Sequence, residues 1–349
     1  MREVIIGKNE DGQRLNKFLM KYLNLAPSSF IYKMLRKKNI KINDKKADGS
    51  EIVSIGDTVK IFLSDDTIAK FKSDILNDYN LKKSNGIYKI DNDILYQDED
   101  IIVINKPSGI LSQKAERDDY SVNEAVVDYT LNNGIISKDE LSTFKPSVCN
   151  RLDRNTSGII WAGISLKGSK ELSQAFKDRS IDKYYYTIVK GKFDKKLIVD
   201  GYISRDEDKL MSKVITCEKY EELSNDAADK RYDNLNLNNN YTRIETGFYP
   251  VSYGNDYTLI RIKLITGKTH QIRAHLKSLG FPVAGDVKYG DKDVNSYMRD
   301  KYNLRNHLLH AGDARWKDKS ISVHADLPDN FKKICDGEGI VWQPGIQED

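Results

Sequence analysis

A charged turn that leads directly into an apolar strand is the feature that most limits how this chain can fold. Residues 151–158 read Arg-Leu-Asp-Arg-Asn-Thr-Ser-Gly, and residues 159–162 continue as Ile-Ile-Trp-Ala. A short apolar run bounded by turn residues predicts a buried strand. The turn, and Asp153 within it, is therefore expected at the point where the chain enters a hydrophobic core.

Asp153 is flanked in this turn by Arg151 and Arg154. Positive charge on both sides favours the ionised carboxylate, so we expect Asp153 to be available as a nucleophile or a base at neutral pH. The same arginines would attract a phosphate backbone. An isolated Arg-x-Asp-Arg string is more often a structural ion pair, so a functional interpretation depends on other motifs.

A second stretch places aromatic side chains on a predicted strand. Residues 183–191 read Lys-Tyr-Tyr-Tyr-Thr-Ile-Val-Lys-Gly, and strand alternation puts Tyr185 on the face opposite Tyr184 and Tyr186. A buried phenol beside a base can stack on it and can exchange a proton. Three consecutive tyrosines are also typical of a strand that packs on a core.

A third stretch, residues 264–276, reads Leu-Ile-Thr-Gly-Lys-Thr-His-Gln-Ile-Arg-Ala-His-Leu. His270 and His275 do not have the His-Glu-x-x-His spacing of a zinc site. The cysteines likewise lack metal-ligand spacing, and they lie at Cys149, Cys217 and Cys335. We therefore predict neither a metal site nor a disulfide framework.

The three stretches together resemble the motifs of the RluA-type pseudouridine synthases. The family patterns are His-Arg-Leu-Asp followed by Thr-Ser-Gly, Lys-x-Tyr-x-Ala-x-Val-x-Gly, and Gly-Arg-Thr-His-Gln-Ile-Arg-x-His. The resemblance covers roughly residues 94–330 and implies that Asp153, Tyr185 and Arg273 are catalytic, with Arg273 paired to Asp153. Of the basic residues in these motifs, we expect three to contact RNA: Arg151, Arg154 and Lys268.

The chain departs from the family patterns at three positions. Asn150 replaces the histidine of the first motif, Thr187 replaces an alanine, and Lys268 replaces an arginine. Lysine keeps the positive charge but loses the bidentate geometry of arginine, so the RNA contact expected of Lys268 differs from that of the family.

The N-terminal residues predict a small basic module. Residues 14–25 have helical periodicity, a second helix is expected after Pro27, and short strands are expected at residues 40–43 and 56–63. Residues 1–63 contain 13 Lys and Arg against 7 Asp and Glu, and the rest of the chain has a small negative net charge. This pattern resembles the alpha-L RNA-binding domain, and the expected RNA contacts are Arg36, Lys37, Lys38 and Lys41.

We expect an α+β fold in which this module precedes a larger domain with a mainly antiparallel sheet. Helices are expected in the larger domain at residues 121–131 and 166–176. The predicted boundaries are 1–63 for the alpha-L module, 64–92 for a polar linker, and 93–349 for the pseudouridine synthase domain. A tract rich in Asp and Asn at about 217–240 is expected to be an exposed insertion.

The mean hydropathy of −0.60 and the absence of a long apolar run argue against a signal peptide or a membrane span. We therefore expect a cytoplasmic protein, without a membrane partner and as a monomer. The family resemblance implies an isomerase that converts specific uridines of large-subunit ribosomal RNA to pseudouridine and that needs no cofactor. The alternatives are a synthase acting on transfer RNA, a non-catalytic RNA-binding or ribosome-assembly protein, and, more weakly, a hydrolase.

Overall fold

A computed structural model describes residues 1–72, 88–116, 119–138, 140–206, 211–228 and 241–342. The chain divides into two compact units. The first comprises Met1–Val103, Gln113–Asn150 and Trp161–Gln174, and the second comprises Ile104–Ser112, Arg151–Ile160 and Ala175–Asp349.

The N-terminal residues of the first unit form a small antiparallel sheet with two helices packed on it. The strands lie in the order β1, β4, β2, β3, with bounds β1 (Arg2–Ile5), β2 (Ile40–Ile42), β3 (Lys45–Lys46) and β4 (Thr58–Ile61). Helices α1 (Leu15–Tyr22) and α2 (Ser28–Arg36) bury the apolar faces expected from their periodicity. Their core includes Leu15, Phe18, Leu19, Ile31 and Leu35.

Part of the stretch expected to be a linker is helical. Helix α3 (Asp65–Phe71) begins after Ser64, whose hydroxyl accepts a hydrogen bond from the Thr67 backbone N–H. Ile68 joins the N-terminal core, and the ring of Phe71 lies 4.4 Å from that of Phe30. A serine cap and two apolar contacts thus stabilise a helix too short to show a clear period, and residues 73–87 lie outside the described residues.

The loop after β1 makes polar contacts with other parts of the first unit. The side-chain oxygen of Asn9 accepts a hydrogen bond from the Leu166 backbone N–H at 2.9 Å, and Glu10 accepts one from the Thr143 hydroxyl. The Lys8 ammonium lies 2.9 Å from a Glu99 carboxylate oxygen. Removing the N-terminal residues would break these contacts.

The rest of the first unit contains β5, the start of β6, β7 and the end of β8, with β7 antiparallel to β8. Helices α4 and α5 agree with the expected helices at 121–131 and 166–176 within two residues at each end. The bounds are β5 (Ile94–Gln97), β6 (Ile101–Lys106), α4 (Val122–Asn132), β7 (Ser147–Val148), β8 (Ser157–Gly163) and α5 (Leu166–Asp178). Every residue of β8 is buried, as the apolar run predicted.

The second unit is built on strands in the order β11, β10, β12, β13, β9, β14, β8. Neighbouring strands in this order are antiparallel except β14 and β8, which are parallel. Strand β15 pairs with β14 in an antiparallel arrangement. The strand bounds are β9 (Ile181–Lys190), β10 (Leu197–Asp206), β11 (Met211–Ile215), β12 (Tyr241–Tyr253), β13 (Tyr257–Leu264), β14 (Leu309–Trp316) and β15 (Ile321–His324). This confirms the α+β class and the mainly antiparallel sheet.

Helices cover the two faces of this sheet. Helix α7 (Gln271–Ser278) packs its Ile272 and Leu276 into the cluster that contains Tyr185. Helices α8 (Lys292–Tyr302) and α9 (Asp329–Gly337) pack into a second cluster that contains Tyr186. The expected alternation of the tyrosine strand is therefore confirmed, and it puts Tyr185 on the face covered by α7.

The sequence expected to be an exposed polar excursion begins as a helix, α6 (Cys217–Ala228). The ring of Tyr220 stacks on that of Tyr202 in β10, with centroids 3.7 Å apart. Residues 229–240 of the expected insertion lie outside the described residues. None of the helices in the described ranges has the length and hydropathy needed to cross a membrane.

Candidate active site

Asp153 lies in the turn immediately before β8, and backbone hydrogen bonds fix that turn. The Ser112 hydroxyl donates to the Leu152 carbonyl at 2.9 Å and accepts from the Leu152 N–H at 3.0 Å. The Gly109 N–H donates to the Arg154 carbonyl at 2.9 Å. The side chain of Asp153 keeps 27% of its surface exposed, so this carboxylate is held in place and remains accessible to a substrate.

The glycine that follows the turn allows β8 to approach β14. Gly158 has φ +109°, and a Cβ at this position would lie 2.1 Å from the Ala311 carbonyl oxygen. Any larger residue would push the two strands apart, and with them the turn that carries Asp153.

Lys106 supports the same turn from inside the protein. Its side chain is fully buried, and its ammonium donates to the carbonyls of Pro107 (2.9 Å), Ile110 (2.8 Å) and Arg154 (3.1 Å). Burial lowers the pKa of Lys106 to about 7, and the Asp153 charge opposes that shift. Sequence reasoning did not select Lys106. A lysine two residues after the apolar run 101–104 was a usable signal for a buried positive charge.

Arg273 contacts Asp153 directly. It lies in the first turn of α7, with only 6% of its surface exposed, and its Nη1 donates to Asp153 Oδ2 at 2.9 Å. The structure therefore brings together the aspartate and the arginine that the family resemblance paired.

A second carboxylate binds the same guanidinium. Asp286 is fully buried and accepts from Arg273 Nε at 2.6 Å and from Arg273 Nη2 at 2.8 Å. Burial acts to raise the pKa of Asp286, but the hydrogen bonds and charge of Arg273 outweigh it and hold that pKa below its usual value. The sequence analysis did not select Asp286, so this contact was missed.

Tyr185 is buried on β9, in the same cluster as Leu152, the residue before Asp153. Burial, followed by the nearby Asp153 charge, raises the pKa of the Tyr185 phenol. At neutral pH the phenol is therefore protonated and able to donate a hydrogen bond.

His270 and Tyr289 complete the surroundings of Asp153. His270 adopts a left-handed conformation (φ +58°) that places its Nε2 3.8 Å from Asp153 Oδ2 and its Nδ1 3.0 Å from the Tyr289 hydroxyl. Burial lowers the pKa of His270, which favours the neutral imidazole. The Tyr289 ring also lies against the guanidinium of Arg273, 5.1 Å from its centroid. Sequence reasoning considered His270 only as a metal ligand.

The basic residues expected to contact RNA lie mainly at the surface. Arg151 and Arg154, which flank Asp153 in sequence, are exposed, and Arg154 Nε donates to the Gly109 carbonyl at 3.1 Å. The arginine that contacts the Asp153 carboxylate is instead Arg273, more than a hundred residues later in the sequence. Lys268 is exposed in the loop before α7. In the first unit, Arg36, Lys37 and Lys38 at the C-terminal end of α2 are exposed, and Lys41 in β2 is half-buried. Within the described ranges, no cluster of His, Cys, Asp and Glu is arranged to hold a metal ion.

Comparison with known proteins identifies the relatives of this chain. Residues 100–278 match the family model described as RNA pseudouridylate synthase. An uncharacterized RNA pseudouridine synthase from Mycoplasma capricolum is 30% identical over 84% of this chain and 87% of that protein. The ribosomal large subunit pseudouridine synthase C of Vibrio parahaemolyticus is 25% identical over 96% of this chain and 95% of that protein.

A solved structure has a similar fold. Human RNA pseudouridylate synthase domain containing 4 aligns over 77% of this chain and all of that chain, with a TM-score of 0.56 and 19% sequence identity. At this identity the similarity concerns the fold alone, and it agrees with the mixed α+β architecture described above.

Proposed function

The chain belongs to the RluA-type RNA pseudouridine synthases, and on this premise we propose that it isomerises specific uridines of large-subunit ribosomal RNA with Asp153 as the catalytic carboxylate. The observation that carries the proposal is the partly accessible Asp153 carboxylate held 2.9 Å from Arg273 Nη1. The choice of ribosomal RNA is supported by relatives such as the large subunit synthase C of Vibrio parahaemolyticus, which this chain matches over nearly its whole length.

The proposed reaction needs a base or nucleophile but neither an oxidant nor an energy source. The bond between the uracil nitrogen and the ribose breaks, the base rotates, and a bond forms from ring carbon 5 to the same sugar carbon. Carbon 5 loses a proton and the released ring nitrogen gains one, so the product is an isomer of the substrate. An ionised carboxylate can begin this sequence by attack on the sugar carbon, by addition to ring carbon 6, or by removal of a sugar proton. Because the isomerisation is redox-neutral, we propose that no cofactor takes part.

The residues around Asp153 have separate proposed roles. Arg273 keeps the carboxylate ionised and oriented, since a guanidinium in hydrogen-bonding contact stabilises the charged form. Tyr185 packs against the displaced uracil and mediates proton transfer at ring carbon 5. The target nucleotide must leave its stack to reach these groups, at a cost of about a few kcal/mol, and exposed Arg151 holds it or fills the vacated space.

The N-terminal sheet and helices are the proposed alpha-L module, and its basic cluster is the proposed site of RNA backbone contacts. Residues 36–41 contribute three exposed positive side chains and one half-buried one. Such a cluster attracts phosphates without reading sequence, so we assign it affinity rather than the choice of uridine. A ribosomal RNA substrate also leads us to propose the cytoplasm as the location.

The test is Asp153→Asn, which removes the charge and keeps the size of the side chain. The purified protein is incubated with large-subunit ribosomal RNA or transfer RNA in EDTA, and pseudouridines are mapped by carbodiimide labelling. We expect new pseudouridines in ribosomal RNA with the original protein and with Asp194→Asn, an exposed acid in the loop after β9, and none with Asp153→Asn. The RNA dissociation constant should change less than about twofold, because backbone contacts remain.

Each other outcome identifies an alternative. Turnover by Asp153→Asn would remove this carboxylate from the mechanism. Labelling confined to transfer RNA would change the substrate, and RNA binding without any base chemistry would favour a non-catalytic RNA-binding protein. Abasic sites in place of pseudouridine would indicate a hydrolase.

A further inference from the structure

Asp286 is more deeply buried than Asp153, the other carboxylate that contacts Arg273. Its side chain is fully buried, whereas Asp153 keeps 27% of its side chain exposed. A buried carboxylate that cannot meet RNA acts only through the residues that it contacts. Its side-chain partner is Arg273, which it binds through both carboxylate oxygens.

The hydrogen bonds divide the guanidinium into two functional edges. Nε and Nη2 donate to Asp286, and Nη1 donates to Asp153. A bidentate pair fixes the plane of a guanidinium as well as its position, because two parallel bonds leave no rotation about either one. Once Asp286 has bound its edge, the direction in which Nη1 faces is determined.

Asp286 is itself held by the turn that contains it. Its Oδ1 accepts from the N–H groups of Lys288 (2.9 Å) and Tyr289 (3.0 Å). Its carbonyl accepts from the Asn295 amide at 2.9 Å and from the Gly290 N–H at 2.8 Å, and a Cβ on Gly290 would lie 2.2 Å from that carbonyl oxygen. Independently of Arg273, the backbone of Asp286 is thus fixed to helix α8, and its carboxylate is fixed by the N–H groups of the turn.

We propose that Asp286 is a positioning residue for the isomerisation: it holds the Arg273 guanidinium so that Nη1 meets Asp153 in the orientation that the reaction needs. The proposal rests on the function proposed above. Asp286 keeps Arg273 in place whether or not Asp153 is engaged with substrate, so the arginine does not have to be reoriented during the reaction. Preorganised groups of this kind contribute to catalysis, and small misplacements of them cost about 10²-fold in rate.

The experiment is Asp286→Asn, measured as the single-turnover rate at saturating protein, normalised to the folded fraction. We expect a fall of about 10²-fold, with the RNA dissociation constant within twofold of the original, because Asp286 does not touch RNA. The matched control is Asp313→Asn. Asp313 is a buried carboxylate of the same unit that accepts hydrogen bonds from Tyr186 and pairs with His324, away from Arg273.

Both variants should lower Tm by roughly 10 °C, because each replaces a buried carboxylate and removes some of the hydrogen bonds that it accepts. A merely structural role for Asp286 would give both variants the same unchanged rate per folded molecule, and that result would overturn the proposal. If Asp286→Asn does not fold, Asp286→Glu decides, because it keeps the charge and both carboxylate oxygens but displaces them by one methylene: a loss of about 10²-fold with an unchanged RNA dissociation constant supports the proposal, and an unchanged rate per folded molecule overturns it.

The two proposals fail differently. An original protein that makes no pseudouridine, or an active Asp153→Asn, contradicts the proposed function. An active original protein with an inactive Asp153→Asn and a fully active Asp286→Asn contradicts only the role of Asp286.

Discussion

At the scale of single residues, the neighbours of Asp153 in space differ from its neighbours in sequence. The arginines near Asp153 in sequence are exposed, whereas the ionisable groups around the carboxylate belong to Lys106, Arg273 and His270. An isolated Arg-x-Asp-Arg string therefore gave a misleading picture of what holds Asp153. The turn that carries Asp153 is held by hydrogen bonds from Gly109 and Ser112 to its backbone, and its carboxylate is contacted by Arg273 at the start of α7.

The motifs selected three proposed site residues but not the residues that support them. Asp153, Tyr185 and Arg273 lie in long motifs with unusual spacing, and the structure brings Asp153 and Arg273 into contact. Asp286 lies 13 residues after Arg273, where no helical or strand period predicts a contact. The turn at 285–290 places it, and one sequence does not reveal which acid such a turn directs inward.

The first prediction at this scale concerns the hydroxyl of Tyr185. Tyr185→Phe keeps the ring that packs in the site, so RNA binding should be unchanged. We expect the single-turnover rate to fall by about 10²-fold or more, because the lost group is a proton carrier. Its raised pKa means that the phenol is protonated across the neutral range, so no part of this loss should depend on its ionisation.

Tyr186→Phe is the matched control, because it removes a phenol from the next residue on the opposite face of β9. Tyr186 donates to Asp313 at 2.6 Å, and its loss should lower stability without changing the rate per folded molecule. An unchanged rate for Tyr185→Phe would limit this residue to packing.

At the scale of secondary-structure elements, periodicity predicted four helices that have an apolar face. Helices α1, α2, α4 and α5 lie close to their predicted positions. The sequence analysis did not predict helices α7, α8 and α9, and it assigned the sequences of α3 and α6, which are polar, to a linker and an exposed tract. Ring contacts at Phe71 and Tyr220 help to stabilise them, and such tertiary contacts leave little trace in a sequence pattern.

The second prediction concerns the basic end of α2 and the strand that follows it. Replacing Arg36, Lys37, Lys38 and Lys41 together by Ala should weaken RNA binding and reduce the slope of log K against log salt by up to about 3, if each contacts one phosphate. The single-turnover rate at saturating protein should be unchanged. Point substitutions are preferred to deletion because Lys8, Asn9 and Glu10 bind other parts of the first unit.

The control removes the same number of positive charges from helices α8 and α9, at Lys292, Arg299, Lys332 and Lys333. These substitutions should leave the salt slope near its original value if phosphates bind at α2. Equal slopes for the two variants would show that total charge, rather than this cluster, determines RNA affinity.

At the scale of the whole molecule, three buried histidines make stability depend on pH. His275, His307 and His310 are each less than a tenth exposed. Their ring nitrogens bond to hydroxyls, of Thr246 at 3.1 Å, Thr156 at 2.8 Å and Ser157 at 2.8 Å respectively. In each case burial lowers the pKa from its ordinary value of 6.5 to about 4.

The third prediction follows from the sign of these shifts. Between pH 6.5 and 4 the unfolded chain binds protons on these histidines that the native state does not, so the free energy of unfolding falls as pH falls through this window. The loss is on the order of 3 kcal/mol per histidine over the whole window, against a typical total stability of about 5–15 kcal/mol. We expect Tm to fall steeply below pH 6, in thermal melts at half-unit intervals. His310→Gln, which keeps a side chain able to hydrogen-bond but removes one titrating group, should flatten this dependence. A Tm that stays level down to pH 4.5 would contradict the assignment of these histidines as buried and neutral.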